Sequence, residues 1–503
     1  MIMKLISNNN ITGALAGILL LCTTACTKDF DEINTDKTLV TEEIIKPSML
    51  FTSVLKSSVF NSYSTGIISE YAGYYSNQGS GVIFQNANWS EPFNSTYRND
   101  LINTAEIVRL TATDAKLANE HAIARIWKVW LFSQLTDLYG DVPYFEALKK
   151  VGEVINQPAY DPQKDIYTDL LKELKEAAAE ISGDASMASF GDADILMGGD
   201  MDHWKRFANS LRLRLALRVR YADAALAVQH ITDVIDEPLI DDNAFNVFLT
   251  TIDGANTNNR NPLYDDPLNS YPLWTSFTIT DNLKKLSDPR LPIFSLPASD
   301  GVSGYRGRPI ALGIPEKTYS EESTARLQSF FRSPVYSIIV MNAAEVYFLR
   351  AEAASAGISG EDEQELFEKG IEQSLKQFNV AQPDADTYLA SSAAMLTGSD
   401  EEKLEQIIVQ KFIAIFYESN EAYAEFRRTG YPKIWTGSDK GSTNGEIPRR
   451  LTYPLAEYSK NAPGVAAAAG RLANGDTYMS KVWWDAKSGL PFHHPKQGMF
   501  PPE

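Results

Sequence analysis

Two polar stretches of the chain combine large aromatic side chains with side-chain amides, a pairing suited to hydroxyl-rich molecules. Aromatic rings stack on the apolar C–H faces of sugar rings, while Asn and Gln amides offer hydrogen-bond donors and acceptors to hydroxyl groups. The candidate aromatic residues are Tyr74, Tyr75, Trp89, Tyr271, Trp274 and Tyr305. The candidate amides are Asn77, Gln78, Asn86 and Asn88. These residues predict a surface that could bind a ligand.

An aromatic residue in a long loop can also pack the small core of the loop itself. This alternative stays open for each candidate ring, because the polar neighbours are the same in both cases. Trp127, Trp130 and Trp204 instead recur among apolar residues at helical spacing, which predicts that they belong to the core.

The other reactive side chains form no pattern typical of catalysis. The five histidines lack HExxH spacing and cysteine neighbours, and Gly79-Ser80-Gly81 lacks the GxSxG pattern of a nucleophile elbow. Glu418, Glu421 and Glu425 are neighbours on one predicted helix, whereas a glycosidase needs two carboxylates facing each other across a cleft. We therefore expect no enzymatic activity, no bound metal and no cofactor.

Composition restricts the classes of ligand. The net charge is −19, with 65 acidic against 46 basic residues. Because nucleic-acid binding needs a basic surface, this charge argues against a nucleic-acid partner, and it also disfavours polyanions. The 44% of hydrophobic residues is enough for a large core.

Helical periodicity surrounds the candidate stretches and must position them. Between 243 and 334 the periodicity disappears, and a stretch this long without regular elements is usually functional. We therefore predict a mainly α fold, with a scaffold of tetratricopeptide-like helical pairs at 46–242 and 335–435 and a large loop-rich ligand-binding face at 243–334, within one domain at 46–503. The predicted helical segments are 46–74, 101–138, 162–181, 201–219, 342–356, 362–378 and 401–428.

The N-terminal residues have the pattern of an export signal. An apolar run at 11–22 follows Lys4 and is about half the ~20 residues needed to span a bilayer. Ala25 then precedes Cys26, as in lipoprotein signals, although Thr23 stands where Leu is usual. We predict a signal peptide at 1–25, lipidation of Cys26 and an acidic tether at 26–45.

Several longer phrases carry a family resemblance as a set. The chain resembles the SusD/RagB family of nutrient-binding outer-membrane lipoproteins of Bacteroidetes, over nearly the whole mature sequence. The phrases are LYGDVPY at 138–144, GDMDHWKRFANSLRLR at 199–214, DPRLP at 288–292, EVYFLRAEA at 345–353, EFRRTGYP at 425–432 and IPRRLTYP at 447–454.

The resemblance implies a cell-surface receptor without enzymatic activity. It would be held to the outer membrane by lipid, facing the cell exterior, and would pass its ligand to a SusC-like, TonB-dependent transporter that it covers as a lid. The ligand would be an oligosaccharide; capture of a peptide, or a structural lid with negligible ligand affinity, are the alternatives.

The arginines of these phrases have a separate interpretation. They adjoin apolar and aromatic residues, and a guanidinium suits fixed ion pairs between packed helices. We predict structural pairing with Glu345, Glu352, Glu421 and Glu425 rather than contact with a partner. The arginines are Arg212, Arg214, Arg427, Arg428, Arg449 and Arg450.

Overall fold

The computed structural model of the chain describes residues 46–63, 66–76, 90–149, 153–184, 186–265, 273–312, 317–437 and 443–502. Helices dominate these residues and strands are short, which confirms the predicted mainly α fold. The helices are α1 Pro47–Tyr63, α2 Gly66–Tyr71, α3 Glu91–Ser95, α4 Ile102–Thr111, α5 Ala118–Tyr139, α6 Gln163–Glu180, α7 Met201–Arg218, α8 Ala224–Val234, α9 Pro262–Asp265, α10 Phe277–Lys285, α11 Leu291–Phe294, α12 Ala343–Ser355, α13 Glu363–Gln377, α14 Gln382–Leu389, α15 Asp400–Ala414, α16 Ser419–Thr429, α17 Glu457–Lys460 and α18 Ala462–Arg471.

Consecutive helices pack side by side as tetratricopeptide-like pairs. Helix α5 packs on α4 and α6, α7 packs on α6 and α8, and α12 packs on α13 and α15. The predicted core tryptophans Trp127, Trp130 and Trp204 are buried between these helices, which confirms that prediction. Burial of these apolar faces supplies most of the stability of such helices, because an isolated helix of this length is marginal in water.

Local sequence fixes several helix ends. The Asp200 side chain accepts a hydrogen bond from the His203 backbone at 3.0 Å and caps α7. Ser399 and Glu402 form a capping box at the start of α15, each satisfying the backbone N–H of the other. These boundaries agree with the sequence prediction to within one or two residues.

The prediction of one helix across 401–428 was wrong. The structure has α15 and α16, which are separated at 415–418, where Tyr417 has a φ of +76°. The Glu418 side chain accepts a hydrogen bond from the Glu421 backbone at 2.9 Å and caps α16. Apolar residues continue through the break, so periodicity alone did not reveal it.

The 243–334 stretch is less irregular than its sequence suggests. It contains the nine-residue helix α10, capped by Ser276, and several short strands. Helix α10 was missed because it covers fewer than three turns and follows Pro-rich sequence. The strands in the described residues are β1 Tyr75–Ser76, β2 Val142–Pro143, β3 Tyr160–Asp161, β4 Val247–Thr250, β5 Trp274–Thr275, β6 Ser295–Leu296, β7 Arg326–Leu327 and β8 Ser337–Met341.

Within the part of the chain that the structure describes, these strands form three small antiparallel sheets. Strands β2 and β3 pair, β4 and β8 pair, and the largest sheet has the order β1-β5-β7-β6. This four-stranded sheet joins β1, at the start of the first candidate stretch, to the 243–334 insert, which supplies the other three strands.

The six arginines of the family phrases are buried, as predicted, but only Arg214 and Arg428 pair with the predicted glutamates. The Arg214 Nε donates to Glu345 at 2.8 Å, and Arg428 donates to both Glu352 and Glu425. For the other four the predicted partners were wrong: Arg212, Arg449 and Arg450 pair with Asp233, Asp485 and Asp476, and Arg427 donates to the backbone carbonyls of Asp137 and Arg449. All six arginines have less than a tenth of their surface exposed, which leaves little for a partner protein.

Candidate functional site

The four-stranded sheet brings together, at one corner, the points at which two stretches with candidate residues, 77–89 and 266–272, attach to the described structure. Ser76 is the last described residue before 77–89, and Leu273 is the first after 266–272. Ser76 lies opposite Trp274 in the β1–β5 register, one residue from Leu273. Both stretches therefore attach to the scaffold at neighbouring positions.

Backbone hydrogen bonds hold this corner in place. The Ser276 N–H donates to the Tyr74 carbonyl at 3.1 Å, and the Arg308 N–H donates to the Thr275 carbonyl at 2.9 Å. The Ser76 hydroxyl donates to the Pro309 carbonyl at 3.0 Å. These bonds to flanking segments stabilise the two-residue strands β1 and β5. The positions at which the candidate stretches attach are therefore held in place.

Tyr74 lies in the core rather than on a binding surface. Its ring has no exposed surface and stacks on Phe412 at 4.4 Å between centroids. Its hydroxyl donates to the Phe412 and Ile415 carbonyls, at 2.8 and 3.1 Å. Burial raises the pKa of Tyr74 well above its ordinary value. These contacts correct the prediction for Tyr74, because a fully covered ring has no face to offer a ligand.

Tyr75 and Trp274 are also largely covered. Tyr75 lies near Tyr417 with parallel rings, 6.4 Å between centroids. Trp274 is 2% exposed, and the Arg308 guanidinium lies 4.6 Å from its ring centroid. Both residues therefore support the base of the candidate stretches in this structure, which corrects their assignment as direct ligand contacts.

Tyr305 alone among the described candidate rings is half-buried rather than buried. It lies in a turn beside Gly304, whose carbonyl accepts a hydrogen bond from the Ala298 N–H at 2.7 Å. Its ring remains accessible to a ligand. Six further predicted residues lie outside the described part of the chain: Asn77, Gln78, Asn86, Asn88, Trp89 and Tyr271.

A groove beside the corner was missed from the sequence. It has a volume of about 410 Å³, within the range of small-ligand sites. Tyr264, with 42% of its surface exposed, forms one side, and Arg326 of β7 forms another. The described lining residues are Tyr264, Leu273, Leu296, Arg326, Leu327, Ser329 and Arg332. The signal that was available is Tyr264 itself, an aromatic residue within the loop-rich stretch at 243–334.

The part of the chain that the structure describes holds neither a metal-binding cluster nor a helix that could span a membrane. Within it, three or more His, Cys, Asp or Glu side chains nowhere gather in an arrangement that could hold a metal ion. No helix in the same residues has the length and apolar character needed to cross a membrane.

Comparison with known proteins assigns the family. A SusD-like family model, described as starch-binding and associating with the outer membrane, matches residues 37–454. The chain belongs to this SusD-like family. A search of curated proteins finds no match.

Solved structures of SusD homologues share the fold. A chitin-binding protein is 26% identical, with a TM-score of 0.78 over 88% of this chain and 100% of its own. A chitin-binding SusD homologue from Flavobacterium johnsoniae is 27% identical, with a TM-score of 0.75 over 89% of this chain and 98% of its own. A SusD homologue from Bacteroides uniformis is 26% identical, with a TM-score of 0.73 over 86% and 99% of the two chains. The family resemblance seen in the sequence is thereby confirmed.

Proposed function

We propose that this SusD-like protein captures oligosaccharides at the cell surface without transforming them. The observation that carries the proposal is the pairing of Ser76 with Trp274, which roots both aromatic and amide-rich stretches at one corner of the sheet. The groove at Tyr264 and Arg326 and the half-buried Tyr305 lie on the same insert. Two similar structures are described as chitin-binding, which favours a glycan over a peptide.

Binding measurements with matched variants test this proposal. Isothermal titration of soluble chitin, starch and peptide fragments should show saturable binding of at least one glycan. Trp89→Ala should weaken it about fivefold, because a stacked aromatic ring contributes on the order of 1 kcal/mol. Phe145→Ala is the control, since Phe145 is exposed but adjoins the separate β2–β3 sheet.

The outcomes distinguish three functions: glycan capture, peptide capture and a structural lid. Saturable glycan binding that Trp89→Ala weakens supports the proposal, whereas binding of peptides alone would assign the protein to peptide capture. Absence of any saturable binding, with both variants indistinguishable from the parent, would leave a structural lid as the function.

We further propose that the protein is anchored by lipid at Cys26, faces the exterior and covers a SusC-like, TonB-dependent transporter. An anchor at the end of a 20-residue tether would keep the receptor at high effective concentration near its transporter. Cys26→Ser should release the protein from membranes, and affinity-tagged parent should copurify with the transporter. Membrane retention of Cys26→Ser would contradict the lipid anchor.

A further inference from the structure

We propose that the groove at Arg326 recognises a carboxylate on the ligand, next to an apolar face that packs on Tyr264 and the groove leucines. The inference rests on the proposed capture function and adds a chemical class to it. The carboxylate could belong to an acidic sugar or to the C-terminus of a peptide, and the experiment below distinguishes these sources.

Arg326 is held by the sheet rather than by a loop. It occupies β7, opposite Trp274 of β5 and Leu296 of β6. On either side, the Leu327 N–H donates to the Leu273 carbonyl at 2.8 Å and the Thr275 N–H to the Ala325 carbonyl at 3.1 Å. The backbone that carries the guanidinium is therefore fixed between two strands, which pre-organises it for a ligand.

The Arg326 side chain has no counter-charge in the described structure. Its Nε is buried and has no hydrogen-bond partner there. Two buried arginines of the scaffold differ, since Arg214 and Arg428 each contact at least one carboxylate. A buried donor without a partner is unfavourable, and a carboxylate that accepts from Nε together with a neighbouring Nη would remove this cost.

The groove around Arg326 is positive and apolar. Its described wall contains two arginines and three leucines but no Asp or Glu. The protein as a whole has a charge of −19, which disfavours polyanions. At physiological ionic strength, however, exposed charges beyond about 8 Å are largely screened, so the guanidinium of Arg326 acts on a ligand in the groove more strongly than the distant acidic surface does. The local chemistry therefore favours a single carboxylate beside an apolar surface.

Two pairs of ligands test the inference, and the members of each pair differ mainly in one charge. The probes are a trisaccharide with a single galacturonic acid unit and its methyl ester, together with an acetylated tripeptide carrying either a free or an amidated C-terminus. We expect the parent to bind one free acid at least tenfold more tightly than its neutral partner. The source of the carboxylate is the pair that shows this preference.

Variants assign the preference to the groove. Arg326→Gln should weaken binding of the preferred acid about tenfold and leave its neutral partner unchanged. Arg326→Lys should retain part of the preference, because Lys keeps the charge but not the planar fork. Arg98→Gln removes the same charge from an exposed site in the helical scaffold and should change neither affinity. Thermal melts of each variant establish that it is folded.

Two results would overturn the inference in distinguishable ways. Equal affinities for acid and neutral ligand, unchanged by Arg326→Gln, would reject carboxylate recognition while leaving glycan capture intact. No saturable binding of the acids, the neutral partners or any chitin or starch fragment would reject both proposals together.

Discussion

Replacement of Arg428 by Met should strongly destabilise the protein, because it removes one cation from a buried ion network. The Arg428 guanidinium on α16 has no exposed surface. It donates to both oxygens of Glu352 at 2.6 Å and to those of Glu425 at 2.9 and 2.6 Å. Methionine preserves much of the side-chain volume, so the main effect is loss of the charge.

The size of the loss follows from what remains around the two carboxylates. Removing one partner of a buried ion pair typically costs about 3–5 kcal/mol. Glu352 keeps Arg220 at 2.8 Å, and Glu425 keeps Arg218 at 2.7 Å. Because neither carboxylate is left without a cation, we expect a value near the lower limit, about 3 kcal/mol.

Urea unfolding followed by tryptophan fluorescence measures this loss. The matched control is Arg98→Met, since Arg98 pairs with Glu91 at 3.4 Å but the two side chains are 66% and 73% exposed. We expect the control to lose less than about 1 kcal/mol. Glu352→Gln combined with Arg428→Met should cost less than the sum of the two single changes, because they share a contact. A loss for Arg428→Met no larger than that of Arg98→Met would refute the structural role of the network.

Two further predictions concern stability. Burial raises the pKa of Asp100 from 3.8 to about 6, although hydrogen bonds from Ser57 and Asn61 oppose this shift. The native fold therefore favours the neutral acid, and stability is lost as the pH rises from about 4 to about 6 and is level above that. The stability of Asp100→Asn relative to the parent should consequently rise by about 2–3 kcal/mol between pH 4 and pH 8 in urea titrations, and a flat difference would contradict this linkage. Gly370→Ala should lower stability by about 1–3 kcal/mol, because the added Cβ would lie 2.6 Å from the Phe348 ring. Gly470→Ala, with open space around its Cβ, is the control and should be neutral or slightly stabilising. Thermal melts of both variants measure the difference in stability.

The scaffold was predictable because its signals are local and repeated. The α7 cap at Asp200 and the apolar positions of α5 can be recognised within a few turns of sequence. The arginine pairs were predictable in kind, since a charged residue among apolar neighbours needs a partner in the fold. Their identity was less so: Arg449 and Asp485 are 36 residues apart, and no helical spacing relates them.

The site was harder to predict because exposure depends on distant residues. Tyr74 and Tyr305 both have polar or glycine-containing surroundings in sequence. Tyr74 is buried by Phe412 and Ile415, more than 330 residues away, whereas Tyr305 stays half-buried in its own turn. Strands of two residues, such as β7, have no measurable periodicity, so Arg326 gave no signal of its position.

The surroundings of Arg428, Arg290 and Arg326 distinguish arginines that stabilise the scaffold from one that can bind a ligand. Arg428 has Glu425 one turn earlier on α16, and Arg290 follows Asp288 in the same turn, so the local chain itself supplies the counter-charge. Arg326 lies between Ala325 and Leu327 on a strand, and its guanidinium opens onto a groove without an acid in the described wall. An ion pair completed within the fold stabilises the fold, whereas a fixed cation that the fold leaves incomplete can gain energy from a ligand. Arg326 is therefore the residue at which a change should alter affinity more than stability, the reverse of what we expect for Arg428.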